Sequence, residues 1–447
     1  MRDIALSLIL IGFMPVSIVR PFIGALVFAV ISLANPHRLT WGFAFSLPWA
    51  MAFAVLTVLG LLFNRERMIG DSIRRYLPML IYLAWMGITT VFALERDSAI
   101  PSLETVAKIH LMCLVTLCLV TDWRKCKQLV WVSVCSIAFY GLKGGIFTIT
   151  GGGQYIVWGP IDSAIRDNNH LAVGLVMMLP MMYWLYMQAK ARWLKLFIAF
   201  SAFMCMASIF GSHSRSAFLG IAAISIFLLL KSRHKVVVGI VITISFGVLA
   251  SVMPGSYWDR METIETYQED ASAMGRINTW KTAINIASQR ITGGGFDFYS
   301  PDVFARYAPE PNNVHSSHSI YFQALGEHGW IGFALFVFIL VYTWFQCRHA
   351  IKYSQDSEDG HAQALLARMI QVSIIGLCVG GAFVNIGNWD MVYYLAITAL
   401  ALARIVDQAP RRDHSHSDAV AGLRTAELAL PTATAGSAAR TFPSVDR

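Results

Sequence analysis

Asn312-Asn313-Val314-His315-Ser316-Ser317-His318-Ser319 runs straight into Ile320-Tyr321-Phe322-Gln323-Ala324-Leu325-Gly326-Glu327-His328-Gly329, and the apolar text then continues to about residue 345. The only long polar loop inside the hydrophobic body of the chain ends here, and a segment long enough to cross a hydrocarbon core begins. Two histidines mark the seam. The passage therefore reads as the point where a water-exposed loop enters a membrane helix.

Composition agrees. Hydrophobic residues make up 56% of 447, charged residues only 14%, and the mean hydropathy is +0.55. A soluble domain of this length carries far more charge, so the class is an all-α polytopic membrane protein. Further apolar runs lie at roughly 42–62, 76–93, 104–120, 128–148, 170–188, 193–210, 215–230, 235–253, 365–384 and 391–405. The leading pair at about 4–19 and 21–34 is broken by Pro15 and Pro21 and reads as two thin spans or one re-entrant hairpin. Residues 4–19 have no basic leader or small-residue cleavage site and read as a retained membrane segment. The sum is about 12 transmembrane helices.

Basic residues assign the sides. Arg65, Arg67, Arg74 and Arg75 crowd one connection, Arg124, Lys125 and Lys127 another, and Lys190, Arg192 and Lys195 a third. Lys231, Arg233 and Lys235, then Arg348 and Lys352, then Arg411 and Arg412 complete the set. All fall on alternate connections, so one orientation places every cluster in the cytoplasm. The net charge of +8 is thus topogenic and does not point to nucleic acid. On this reading residues 1–253 form an N-terminal transmembrane bundle. Residues 254–318 form a loop on the opposite face, 319–405 the C-terminal membrane helices, and 406–447 a disordered cytoplasmic tail. The seven cysteines lie in or beside apolar runs and show neither a disulfide framework nor metal-ligand spacing.

Arginine is normally depleted on the outer face, which makes Arg166, Arg215, Arg260, Arg276, Arg290 and Arg306 worth weighing. A guanidinium offers a planar fork of donors that fits phosphate oxygens in pairs. Arg215, in Gly211-Ser212-His213-Ser214-Arg215-Ser216-Ala217, heads a membrane helix, where free N–H groups also favour an anion. An interfacial anchor is the competing reading. Arg276 lies where Ile277, Trp280, Ala283, Ile284 and Ala287 recur at helical spacing, as in an amphipathic surface helix, followed by a flexible Gly293-Gly294-Gly295. The competing reading there is a solvated helix face. Lys143 falls inside an apolar run, as a functional ammonium or one snorkelling outward. His318 and, less directly, His315 are candidate bases; either can equally be a polar residue at a helix start. Glu327, nine residues after His318, falls on the opposite helix face and is not its obvious partner. The loop acids Asp259, Glu262, Glu265, Glu269 and Asp270 are scattered and form no D-x-D metal motif.

Four of these passages together resemble the O-antigen ligase and polymerase superfamily of bacterial inner-membrane glycosyltransferases, closest to O-antigen ligases and the related O-glycosylation ligases. Asp167-Asn168-Asn169 before an apolar helix is similar to the family's D-x-N opening, and Ser214-Arg215-Ser216-Ala217 to its Ser-Arg-small motif. Gly275-Arg276 with Trp280 resembles its G-R-x-x-x-W helix, and His315–Gly329 its H-x-x-H signature, with Ser319 where many members have Asn. The resemblance covers most of residues 40–405. It implies a fold similar to the large helical membrane glycosyltransferases, with a periplasmic loop domain. It also implies a metal-independent, inverting reaction without cofactors, performed by a monomer in the inner membrane. Donor and acceptor would be an undecaprenyl-diphosphate-linked glycan and lipid A–core. His318 would be the catalytic base and Arg215 and Arg276 the diphosphate clamp, with Arg166, Lys143, His315 and Arg306 as further contacts. O-antigen polymerisation and protein O-glycosylation share this donor chemistry. A lipid-linked sugar transporter, the reading from another class, fits less well, because the unusual charges gather at one face.

Overall fold

The computed structural model describes residues 1–64, 70–231, 235–255 and 271–408. Arg65, Arg67, Arg233, Arg260, the acidic part of the long loop and the tail from 409 lie outside the described residues. Within them the regular structure is helical throughout. The chain runs α1 (Arg2–Val19), α2 (Pro21–Ala34), α3 (Trp49–Phe63), α4 (Gly70–Val91), α5 (Arg96–Leu119), α6 (Trp123–Thr150), α7 (Asn168–Gln188) and α8 (Arg192–Gly211). It continues α9 (Arg215–Lys231), α10 (Lys235–Val252), α11 (Ala271–Gln289), α12 (Pro301–Tyr307), α13 (Ile320–Tyr353), α14 (Glu358–Gly380) and α15 (Asp390–Gln408). Among the described residues seven helices are long and apolar enough to cross a membrane, with α2 and α3 as shorter apolar helices. The leading pair forms two helices that break at Arg20-Pro21, where proline removes the N–H that would continue the first. The chain is a multi-pass membrane protein by these spans.

The last helix is the core. Every residue of α15 from Asp390 to Arg404 is buried, as expected of a helix that is apolar all round. Its two charged ends are each hydrogen-bonded to neighbouring elements. Asp390 accepts from the Ser32 hydroxyl of α2, and Arg404 donates to Ser72 Oγ of α4 and to the Val120 carbonyl after α5. A buried charge is tolerated only when so bonded.

Contacts between helix ends sort into two sets. At one end Arg75 of α4 pairs with Asp407 of α15 at 2.6 Å, and Trp123 Nε1 of α6 donates to Asp359 of α14 at 2.8 Å. Trp184 of α7 donates to the Ala362 carbonyl of α14. At the other end Asn168, starting α7, donates to the Ser212 carbonyl that ends α8. The first set gathers the basic connections, and the second the connections expected on the opposite side.

Two expectations are corrected. Helix α11 buries the predicted apolar stripe only in part: Ala283 and Ala287 are buried and Ile277 and Trp280 half-buried, but Ile284 is 40% exposed. Gly275, Asn278, Thr279, Thr282 and Ile286 are buried beside them. The buried face extends to polar residues because two of them serve the loop beside it: Asn278 Nδ2 donates to the carbonyls of Glu310 and Asn313, and Thr279 Oγ1 to that of His315. The second correction concerns Gly293-Gly294-Gly295, which is docked rather than a free hinge. Helix α13 breaks at Gly329 (φ 69°), so the carbonyls just before the break lose their helical donors. Gly294 N and Gly295 N donate to Gly326 O and Glu327 O at 2.8 Å each, and Trp85 Nε1 donates to His328 O at 2.9 Å. Such repair is required where irregular backbone lies within a membrane protein. A side chain at Gly293 would place its Cβ 2.5 Å from Gly329 N, so only glycine allows this approach.

Candidate active site

His318 sits between two residues that are locked in place. The Ser317 carbonyl accepts from Trp280 Nε1 at 2.7 Å. Ser317 Oγ and the Ser319 N–H both donate to Asn385 Oδ1, at 2.7 and 2.8 Å. Trp280 also stacks on Phe322, with ring centroids 4.8 Å apart. So fixed, His318 takes a left-handed backbone conformation (φ 41°), which costs a non-glycine residue on the order of 1–3 kcal/mol and persists only where the surroundings impose it. The imidazole is half-buried, and its Nδ1 is shielded from solvent without a hydrogen-bond partner. Burial, then the Arg276 guanidinium and His170, push the His318 pKa down to about 4; nearby Asp167 opposes the shift, and His315 adds to it. The electrostatics thus bring His318, Arg276, Asp167, His170 and His315 into one neighbourhood.

The residues around it come from several elements. Asp167 caps α7, accepting from Asn169 N at 2.8 Å, a preferred side chain for that position. Asn168, next along, donates to Ser212 O and ties α7 to the Ser212–Arg215 turn. His213 in that turn is left-handed (φ 55°), with Nε2 2.9 Å from the Gly153 carbonyl. Ser214 Oγ accepts from Ala217 N and starts α9. Arg215 is half-buried at the head of α9. The carbonyl of its neighbour Ser216 would lie 3.4 Å from a Cβ at Gly380, and Ile320 would crowd one at Gly381, so the head of α9 and the His318 turn meet the same bend. Gly275 admits His315, whose Nδ1 would be 2.8 Å from a Cβ there; this places Arg276 beside the loop.

A cavity of about 570 Å³ with polar residues on its wall opens at this end, lined by Trp158, Ser163, Ala164, Arg166, Asp167, His170, Asn385, Asn388 and Trp389. It shares Asn385 with the His318 anchor and Asp167 and His170 with the His318 neighbourhood. Arg166 is exposed on its wall. Of the other candidates, His315 is exposed, and Arg306 is exposed with its guanidinium over the Tyr307 ring at 5.6 Å. Lys143 is exposed on α6 and does not line the cavity. Arg290 serves structure, donating to Gly293 O at 2.9 Å and Phe92 O at 2.5 Å.

The residues that reading the sequence did not single out are Asn385 and Asn388, in the turn before α15, and the tryptophans Trp158 and Trp389. Asn388 Nδ2 donates to Glu327 Oε2 at 3.1 Å, and Gln323 Nε2 to Glu327 Oε1 at 3.3 Å. Glu327, 2% exposed, therefore holds the cavity wall and not the His318 ring. The only signal in the sequence was a polar turn between two apolar runs.

A half-buried histidine, a neighbouring guanidinium and a cavity thus lie together at one end of a multi-pass helical bundle. Residues 200–337 match a family model described as O-antigen ligase, and this match supports assignment of the chain to the O-antigen ligase family of membrane glycosyltransferase-type enzymes. Residues 1–190 match a family of unknown function. No curated protein matches the chain. Arg215, Arg276, His315 and His318 fall in the first match, Arg166, Asp167 and His170 in the second, and Asn385, Asn388 and Trp389 in neither.

Proposed function

We propose that the chain is an O-antigen ligase, transferring glycan from undecaprenyl diphosphate to lipid A–core at the periplasmic face of the inner membrane. The observation that carries this reading is the fixed His318, in the electrostatic neighbourhood of Arg276 and of the cavity residues Asp167 and His170, within the region that matches the family. The acceptor hydroxyl attacks the anomeric carbon, the bond from that carbon to the diphosphate oxygen breaks, and undecaprenyl diphosphate leaves with the electron pair. His318 takes the hydroxyl proton. Arg215 and Arg276 hold the charge that grows on the leaving group. Arg166 stands on the cavity wall for the glycan or diphosphate; His315, Arg306 and Lys143, which do not line the cavity, are further candidates.

The test is transfer by purified protein given undecaprenyl-diphosphate-linked glycan and lipid A–core. Core bands shifted up by preformed chains are expected, with full activity in EDTA. Longer glycan left on the carrier would make the chain a polymerase, and loss of all activity in chelator would overturn the metal-free mechanism. The pH profile gives a second test. A base works unprotonated, so kcat/KM of the free enzyme rises as pH climbs through the His318 pKa and is then flat to neutrality. With that pKa held down to about 4, the acid limb lies well below ~6.5, the unperturbed value. An acid limb at or above that value would contradict the half-buried imidazole near Arg276 described above.

A further inference from the structure

We infer that the apolar groove between α2, the turn that follows it and α6 seats the polyprenyl tail of the donor; this rests on the glycosyl-transfer reading and adds the lipid subsite to it. The groove has a volume of about 420 Å³, with Val30, Ala34 and Leu39 on one wall and Trp131, Cys135 and Phe139 on the other. It follows α6 from Trp131 to Tyr140, ten residues or about 14 Å of helix. The Tyr140 hydroxyl, the polar tip at its upper end, donates to the Ala34 carbonyl, which leaves the channel apolar there.

Its position says what fills it. Two contacts bring the end formed by α2 and the turn after it close to residues beside the cavity, and no residue lines both. Arg38 pairs with Asp162 at 3.9 Å, and Asp162 precedes Ser163 in the cavity wall. Ser32 of α2 donates to Asp390, which follows Trp389 in that wall. From this end the groove runs along α6 toward the opposite membrane face. A lipid diphosphate needs this arrangement, with a chamber carrying polar residues for its head and an apolar track that carries the tail into the hydrocarbon. Bulk lipid would coat the groove without reference to the cavity, and this is the outcome that the test must separate.

The experiment uses the full chain in phospholipid liposomes and a polyprenyl diphosphate carrying a photoreactive group in its tail. Label is expected within residues 30–39 and 131–140. Unlabelled polyprenyl diphosphate should compete for it, and excess phospholipid should not. Cys135 is exposed, so Cys135→Trp fills the groove without entering the core; labelling should fall roughly 10-fold, and KM for the long-tailed donor should rise in proportion with kcat unchanged. Val132→Trp, at a second lining position, should act the same way. Label spread over all the lipid-facing helices, competition by phospholipid, or unchanged labelling in both variants would overturn the proposal. The labelling needs no glycan transfer, so a failure of the catalytic reading would leave the groove result standing.

Discussion

Replacing His318 by alanine is expected to reduce transfer by roughly 10²–10⁴-fold while donor binding and protein level stay unchanged, the range a positioned general base contributes. The loss should appear in kcat, because the imidazole accepts its proton only as the acceptor oxygen attacks. The fold should survive, since the turn is held by Trp280, Asn385 and the Ser319 amide, none of which bonds the His318 ring. Alanine there keeps an unfavourable left-handed backbone, as histidine does (φ 41°), so the comparison isolates the imidazole. Single-turnover transfer with donor binding measured on the same samples is the check. Activity like wild type would remove His318 from the chemistry.

The second large effect is expected at the arginines. Arg276→Ala and Arg215→Ala should each lower kcat by roughly 10²–10³-fold, about 2.7–4 kcal/mol of transition-state stabilisation, as when one preorganised donor to a developing anion is removed. Lysine in place of either should restore part of the rate, because it keeps the charge and loses the paired donors. Arg276→Ala has a further signature. Arg276 helps to hold the His318 pKa down, so its removal should move the acid limb of kcat/KM to higher pH. A variant with unchanged rate at matched protein level would take that arginine out of the site, and an unmoved acid limb would separate Arg276 from His318.

The sequence announces much of this arrangement. Alternating basic connections separate two helix-end sets, and the structure gathers Arg75 with Asp407 at one end and Asn168 with Ser212 at the other. Asp167, Arg276 and His318 lie far apart in the chain as motifs, yet meet as one electrostatic neighbourhood. What the sequence hid has physical causes. Apolar spacing caught only part of the buried face of α11, because Asn278 and Thr279 are buried by bonds to loop carbonyls and Thr282 by a bond to the Asn278 carbonyl, and not by hydrophobicity. Gly329 looks like any glycine in an apolar helix until three glycines from elsewhere are seen docked against its break. Asn385 and Asn388 sit in a short turn of ordinary composition, and their value comes only from the Ser317–Ser319 segment and Glu327 that fold against them. Long-range polar pairing leaves no period to read.

The configuration of the new glycosidic bond tests the central claim most directly. A single displacement, with one base and no covalent intermediate, inverts the anomeric carbon. NMR of the linkage formed from a donor of known configuration should therefore show inversion. Retention would contradict the account, because it needs two displacements and a nucleophile on the enzyme, with the Asp167 carboxylate near His318 the first to suspect.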